Sequence, residues 1–255
     1  MTKLSVVIIT LNEEKNIGRC LQSVKAVADE IIVVDSLSTD KTKEIALSHQ
    51  AKVIDQPFLG FIQQKNSALS KATNTYVLSL DADEALSEEL SQSILIEKSK
   101  GFPKDGYMMN RLHYYCGKWL KHGTYYPDRK IRLVNKEKAQ WGGTNPHDKI
   151  IMQKDSTLQP LKGDLLHYIY QTYEEHMLQT NKFSTIAAAE MYKAGKKPSY
   201  FKLVINPAWA FFYGFFVRAG FLDGLTGFVV AKFTAMHSFL KYAKLIKLYK
   251  SEKKP

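Results

Sequence analysis

Along the first hundred residues, short β-branched runs alternate with segments whose apolar positions recur every three or four residues. Leu4–Thr10 is the first such run, and Ile31–Val34, Lys52–Asp55 and Tyr76–Leu80 follow it. Between them, Ile17, Leu21, Val24 and Ala28 keep helical spacing behind Asn12, which is read as a helix cap ahead of Glu13 and Glu14. "STDKTKEIALSHQ" and "GFIQQKNSALSKA" read as two further helices, and a fourth covers about Ser87 to Lys100. Near-continuous apolar strands alternating with amphipathic helices predict an α/β fold, a mostly parallel sheet covered on both faces. Ligands of such sheets bind at the carboxyl ends of the strands. Asn12, Asp35 and Asp81 each stand at or just past such an end.

After residue 100 the pattern changes. Tyr107–Tyr115, Lys130–Asn135 and Lys149–Met152 read as strands joined by loops rich in Gly, His, Tyr and Trp, which predicts an irregular antiparallel half. Thr172 and Glu175 form a capping box that opens a helix running to about Ala194. "GKKPS" breaks that helix. The expected organisation is therefore a domain over residues 1–195, with a ligand-binding half (1–100) and a second half (101–195), followed by a C-terminal helical region over 196–255.

Charge sharpens the last boundary. The net charge is +11, yet twelve of the 36 Lys and Arg and only two of the 25 Asp and Glu lie from Lys193 onward. The basicity thus belongs to the tail. "FKLVINPAWAFFYGFFVRAGFLDGLTGFVVAKF" is the most aromatic stretch, and Pro207, Arg218 and Asp223 interrupt it before it reaches the ~20 apolar residues of a spanning helix. Leu240, Ala243, Ile246 and Tyr249 then recur at helical spacing between lysines, the composition of an interfacial helix on anionic headgroups. A peripheral position on the inner face of the plasma membrane is expected. No nucleic-acid recognition module accompanies the charge, so nucleic acid is not an expected partner. Two cysteines, Cys20 and Cys116, make neither a disulfide framework nor a metal pair, in keeping with a reducing compartment. "MTKLSVVIIT" reads as a first strand and not as a signal peptide.

The chemistry centres on "YVLSLDADEAL", Tyr76 to Leu86, where a strand suited to burial ends in Asp81, Asp83 and Glu84. Residues two apart on a strand point the same way, roughly 6.5–7 Å apart. Two carboxylates converging on one point suit a hard divalent cation, Mg²⁺ or Mn²⁺, that keeps water and takes further ligands from a phosphorylated substrate. Without a cation, the pair would be left to mutual repulsion. Walker-type, G-x-G-x-x-G, H-E-x-x-H and nucleophile-elbow motifs are all absent from the sequence.

"VVIITLNEEKNI", "EIIVVDSLSTDKT", "GFIQQKNSAL" and "YVLSLDADE", in this order and spacing, resemble family 2 glycosyltransferases of the GT-A fold, most closely the bacterial lipopolysaccharide-core glucosyltransferase group. The resemblance continues more weakly through "PDRKIRL", "NPHDK" and "HYIYQTYEEHM". It implies that Thr10, Asn12, Glu13 and Asp35 hold a nucleoside, with Asp35 accepting from the uracil imide, and that Lys65 and Asn66 lie near the nucleotide. It implies Asp83 as metal ligand, Asp81 at the ribose or a metal-bound water, and His167 as a late ligand to metal or diphosphate. A His-Glu pair of the group matches His147 and Asp148, which makes Asp148 the general base, one methylene shorter than the family's Glu. Leu37 is a second departure, standing where the family often has Gly. Arg129 and Arg132 are read as pointing along one strand to a common face, where they would meet phosphate or an anionic acceptor.

The function the resemblance implies is inverting transfer of a hexose, most simply glucose from UDP-glucose, to a lipid-linked saccharide, the heptose region of the lipopolysaccharide inner core. Two alternatives stand beside it. Transfer to a polyprenyl phosphate needs no base, and a non-catalytic membrane-bound protein would only bind the nucleotide sugar.

Overall fold

The computed structural model describes residues 2–144 and 147–252, except that the side chains of Thr144, His147 and Glu252 lie outside the description. Residues up to Leu112 with Asp128–Tyr168 form one compact unit, and His113–Pro127 with the chain from Ile169 onward form a second.

The first unit begins with four parallel strands, β1 (Leu4–Thr10), β2 (Glu30–Asp35), β3 (Lys52–Asp55) and β4 (Tyr76–Asp81), in the order β3-β2-β1-β4. Between them run α1 (Ile17–Val24), α2 (Thr42–Ser48) and α3 (Phe61–Lys71). The strand period of two distributes side chains to opposite faces. Leu4, Val6 and Ile8 of β1 join Leu78 and Leu80 beneath Ile17, Leu21 and Val24 of α1. Val7 joins Ile32, Val34 and Val77 beneath Ala68 and Leu69 of α3. Both faces are therefore covered, as the continuous apolar runs require. The register sets Thr10 beside Asp35 and Ile9 beside Asp81, so three strand ends share one rim.

Beyond β4 the sheet turns antiparallel. β5 (Glu84–Leu86) and α4 (Glu88–Ser99) are followed by β6 (Gly106–Tyr115), β7 (Lys118–Leu120), β8 (Asp128–Asn135), β9 (Ala139–Thr144), β10 (His147–Met152) and β11 (Leu158–Tyr170). The order continues β4-β8-β6-β11-β5, while β9 and β10 form a separate ribbon. Ser87 caps α4 by accepting from the Leu90 N–H at 3.2 Å.

Several details correct the sequence reading. Asn12 does not cap α1, because residues 13–16 form a turn and the helix starts at Ile17 behind Asn16. Asn12 instead adopts a left-handed φ of 55° and its side-chain oxygen accepts from the Thr39 N–H at 2.8 Å. The strands β5, β9 and β11 carry no clean period-two pattern and are absent from the expected elements. Arg129 is exposed and Arg132 is buried at 4% exposure. The β6–β8 register slips beside Arg132, with Tyr107 opposite Leu133 and Met108 opposite Ile131, so Arg132 sits at an irregularity and a simple period of two does not relate it to Arg129.

In the second unit, α5 (Tyr173–Lys193), α6 (Tyr200–Phe212) and α7 (Gly224–Glu252) pack with α7 against both others. The expected box at Thr172 and Glu175 is present and opens α5. The position 195/196, expected as a domain boundary, falls inside this unit. His176 of α5 is clamped by the Tyr115 hydroxyl at 2.8 Å between the rings of Tyr170 and Phe233, and burial lowers its pKa to about 4. It is a neutral core histidine.

Candidate active site

The turn after β2 is tied to the end of β1. Asp35 is fully buried, and its carboxylate accepts from the Ser38 N–H at 2.7 Å and the Ser38 hydroxyl at 2.5 Å. The Asn12 N–H donates to Ser38 Oγ at 2.8 Å, closing the link. Leu37, half exposed between these polar partners, holds a φ of 67°. That is the left-handed region in which a glycine carries no Cβ penalty, which accounts physically for the family's Gly there. Thr10 Oγ1 is buried and, among the described residues, has no hydrogen-bond partner.

Lys65 of α3 lies between two carboxylates. Its Nζ is 3.0 Å from Asp81 Oδ1 and 2.8 Å from Asp148 Oδ2, and only 6% of the side chain is exposed. Residues 65, 81 and 148 are thus brought into one ion-paired group from α3, β4 and β10. Trp141 roofs the lysine, with Lys65 Nζ 4.4 Å from its ring centroid. The Trp141 Nε1–H is buried without a partner among the described residues. Asn66 holds this tryptophan by its backbone. It donates to the Trp141 carbonyl and accepts from the Trp141 N–H, both at 2.9 Å. The Asn66 side chain therefore positions β9, a use its sequence gives no sign of.

Asp83 follows the strand end and pairs with His167 on β11, Oδ2 to Nε2 at 3.1 Å. The register makes this contact, since His167 sits opposite Glu84 and the Tyr168 N–H donates to the Asp83 carbonyl. Burial would raise the Asp83 pKa, but His167 outweighs it and holds the carboxyl below its ordinary range. Asp81 faces Lys65 and, at 3.5 Å, Arg132, so the two aspartates of D-x-D have different neighbours. Among the described residues, no three His, Cys, Asp or Glu side chains form a ready metal cluster. One carboxylate oxygen and one imidazole still fit a cation that keeps water and takes phosphate oxygens.

Glu84, read in the sequence only as part of the acidic strand end, is here a buried anion. Its side chain is fully buried, accepting from the Asp81 N–H at 3.0 Å and from Arg132 Nη2 at 3.0 Å, with Arg111 Nη1 at 3.3 Å. Burial pushes its pKa up, yet Arg132 and then Arg111 hold it far below the carboxylate range. Arg132 in turn is held above its ordinary value against burial, by Glu84 and Asp81. The signal in the sequence is "KIRLV", an arginine inside an apolar strand that needs a buried anion. The side chain of His147 lies outside the described residues.

Residues 5–158 match the family model described as Glycosyl transferase family 2. The chain is a family 2 glycosyltransferase. It is 38% identical to an uncharacterised glycosyltransferase of Rickettsia typhi over 97% of this chain and 88% of that one. It is 28% identical to the lipopolysaccharide core biosynthesis glycosyltransferase LpsC of Rhizobium meliloti, over 99% of this chain and 95% of LpsC. Among solved structures, TarS of S. aureus aligns over 94% of this chain and 55% of its own at 17% identity and a TM-score of 0.48. Glucosyl-3-phosphoglycerate synthase of Mycobacterium tuberculosis aligns over 44% of each chain at 23% identity and a TM-score of 0.37.

In this glycosyltransferase Glu13 has the most displaced carboxyl whose titration is accessible. Burial raises its pKa to about 7 against the Asn16 hydrogen bond, helped by the charges of Asp83, Asp40 and Asp81. The unfolded chain releases this proton near 4.5, so the folded state binds more protons between the two values. Ionising Glu13 therefore costs stability: its contribution falls as pH rises through 7 and is recovered below 4.5. His176 acts the opposite way, since its lowered pKa costs stability as pH falls below 6.5. The comparison to make is thus Glu13→Gln against wild type. Without divalent cation, the variant's melting temperature should rise relative to wild type between pH 5 and pH 8, roughly the window set by the two pKa values. A constant difference across that range would place Glu13 in solvent.

Proposed function

We propose that the enzyme transfers a hexose, glucose in the simplest case, from a UDP-sugar to a sugar hydroxyl on a lipid-linked acceptor at the cytoplasmic face of the membrane. The observation that carries this reading is the Lys65 bridge, which joins Asp81 of the D-x-D stretch to Asp148. It sets a donor-side carboxylate and a base candidate on either side of one cation.

Thr10, Asn12, Glu13 and Asp35 would cradle the nucleoside at the shared strand rim. The unpartnered Thr10 hydroxyl is a group that a ligand would satisfy. Asp35 keeps acceptor capacity beyond its two bonds from Ser38, as a carboxylate offers about four lone-pair sites. Asp81 would face the ribose, and Lys65 the diphosphate. Asp83 and His167 would hold a divalent cation, which when bound neutralises the charge of the departing diphosphate. Asp148 accepts the acceptor hydroxyl's proton on Oδ1, Lys65 being on Oδ2, as the oxygen attacks the anomeric carbon and the UDP oxygen leaves. Attack from the face opposite the leaving group inverts the anomeric centre. The likeness to LpsC along nearly the whole of both chains favours an acceptor in the lipopolysaccharide core, within which the heptose region expected from the sequence is the position we propose.

Calorimetric titration with UDP, UDP-glucose and GDP, each with and without Mn²⁺, tests the donor half. Uridine nucleotides should bind selectively. Affinity should fall roughly tenfold to a hundredfold without metal or in Asp83→Ala. Equal binding of GDP, or metal-independent binding, would overturn the donor assignment.

A further inference from the structure

Apart from Lys202 and Asn206, α6 is built of apolar and aromatic residues, yet only one side is covered. It packs along α7, where Phe211 meets Phe228 edge-to-face at 5.6 Å and Asn206 donates to the Tyr242 hydroxyl at 2.8 Å. On its other side Phe201, Val204, Ile205, Trp209 and Phe212 recur at three- and four-residue intervals, between 45% and 72% exposed. A surface helix of a water-soluble domain carries polar residues on that side. The apolar surface continues past the helix, through a π turn (Tyr213–Val217) and a 3-10 turn (Gly220–Asp223), with Leu222 58% exposed.

Charge is arranged around this stripe with one sign. Asp223 is the single acid between Tyr200 and Phe228, and it is buried, accepting from the His122 N–H at 2.9 Å and pairing with the His122 ring at 3.0 Å. Lys196, Lys197 and Lys202 are exposed at the start of α6. The far end of α7 returns to the same place, with Lys250 Nζ 5.8 Å from the Tyr200 ring centroid.

We propose, deepening the membrane location given above, that this face of the second unit is where the protein lies on an anionic phospholipid bilayer, with α6 in the plane of the interface. The stripe from Phe201 to Phe212 is roughly 17 Å long at 1.5 Å per residue, too short to span a ~30 Å core but suited to lying along its boundary. No single described helix is long and apolar enough to cross, and the pair that passes together is bent by 72°. Apolar side chains reach roughly 5–10 Å into the headgroup and acyl boundary. Trp209 and Tyr213 are of the residue types that favour headgroup depth. The lysines select the partner. A second copy docked on this stripe would bring no acid to these lysines, Asp223 being buried, whereas anionic headgroups neutralise them. A lipid-linked acceptor would then be met in the surface where it resides.

The test is sedimentation of the full chain with vesicles of phosphatidylethanolamine containing phosphatidylglycerol, and with vesicles of phosphatidylcholine. It needs no turnover, so it can fail separately from the proposed reaction. The wild type should sediment with the anionic vesicles. Val204→Glu with Phe212→Glu should lower the bound-to-free ratio about a hundredfold, roughly tenfold for each apolar side chain withdrawn from the bilayer. Lys196→Gln, Lys197→Gln and Lys202→Gln together should remove most of the preference for anionic over neutral vesicles, roughly fivefold for each lysine. Unchanged circular dichroism and UDP affinity in each variant establish that the fold is kept. A wild type left in the supernatant, or a Val204/Phe212 variant that binds as well, overturns the inference. So does a wild-type dimer that the same two substitutions dissociate, which would assign the face to a second copy.

Discussion

Replacing Asp148 by Asn should lower the rate of transfer to a sugar hydroxyl by about 10²–10⁴-fold, the contribution of a positioned general base. UDP affinity, measured by calorimetry, should stay within a few fold. The amide is isosteric, and Lys65 keeps its 3.0 Å contact to Asp81 when the 2.8 Å contact to Asp148 weakens. The donor half of the site is therefore left standing while proton acceptance is removed. A polyprenyl phosphate acceptor gives the opposite result, because an ionised nucleophile has no proton to surrender and Asp148→Asn would retain its rate. Loss of UDP binding in the variant would assign Asp148 a positioning part, through Lys65, on the donor side.

Much of this site is legible in the sequence because strand ends in a parallel sheet have fixed positions. Asp35 and Asp81 follow from apolar runs that end on one rim, and Asn12 follows just past the end of the first run. Lys65 and Asp148, by contrast, are 83 residues apart, and no local pattern predicts that they meet. That contact depends on β9 and β10, a two-stranded ribbon outside the main sheet, in a glycine-rich stretch with weak alternation. β11 escapes sequence reading for a related reason. Its burial is uneven along "LQPLKGDLLHYIY", so neither strand period nor helix period dominates. His167 is nevertheless expected at the metal beside Asp83, through the family resemblance and not through any reading of its strand. Arg132 and Glu84 are the instructive pair. Each is a surface group by residue type, and only the antiparallel packing of β8 and β5 into one sheet makes them a buried salt bridge.

That salt bridge carries the largest expected effect on stability. Glu84→Ala should destabilise the fold by about 3–5 kcal/mol, the range for removing one partner of a buried pair. Two guanidiniums would lose their shared anion: Arg132, 4% exposed, and Arg111, 17% exposed. Arg111 keeps Asp128 at 2.8 Å, whereas Arg132 keeps the longer 3.5 Å approach to Asp81 and the Trp141 ring at 5.1 Å. Arg132 is thus the charge that makes the loss expensive. At roughly 2–4 °C per kcal/mol for a chain of this size, the melting temperature should fall by about 6–20 °C. Glu84→Gln should recover part of this, since its amide oxygen can still accept from the Asp81 N–H and from one arginine. Glu84→Leu combined with Arg132→Met should recover more, because burial without charge removes the desolvation cost from both sides. The order Ala, then Gln, then the apolar pair is the diagnostic outcome. Because Glu84 also fixes the Asp81 backbone, the apolar pair should fold well and yet bind UDP poorly. A double variant that is stable and retains full affinity would mean that the D-x-D turn is shaped by Lys65 and His167 alone.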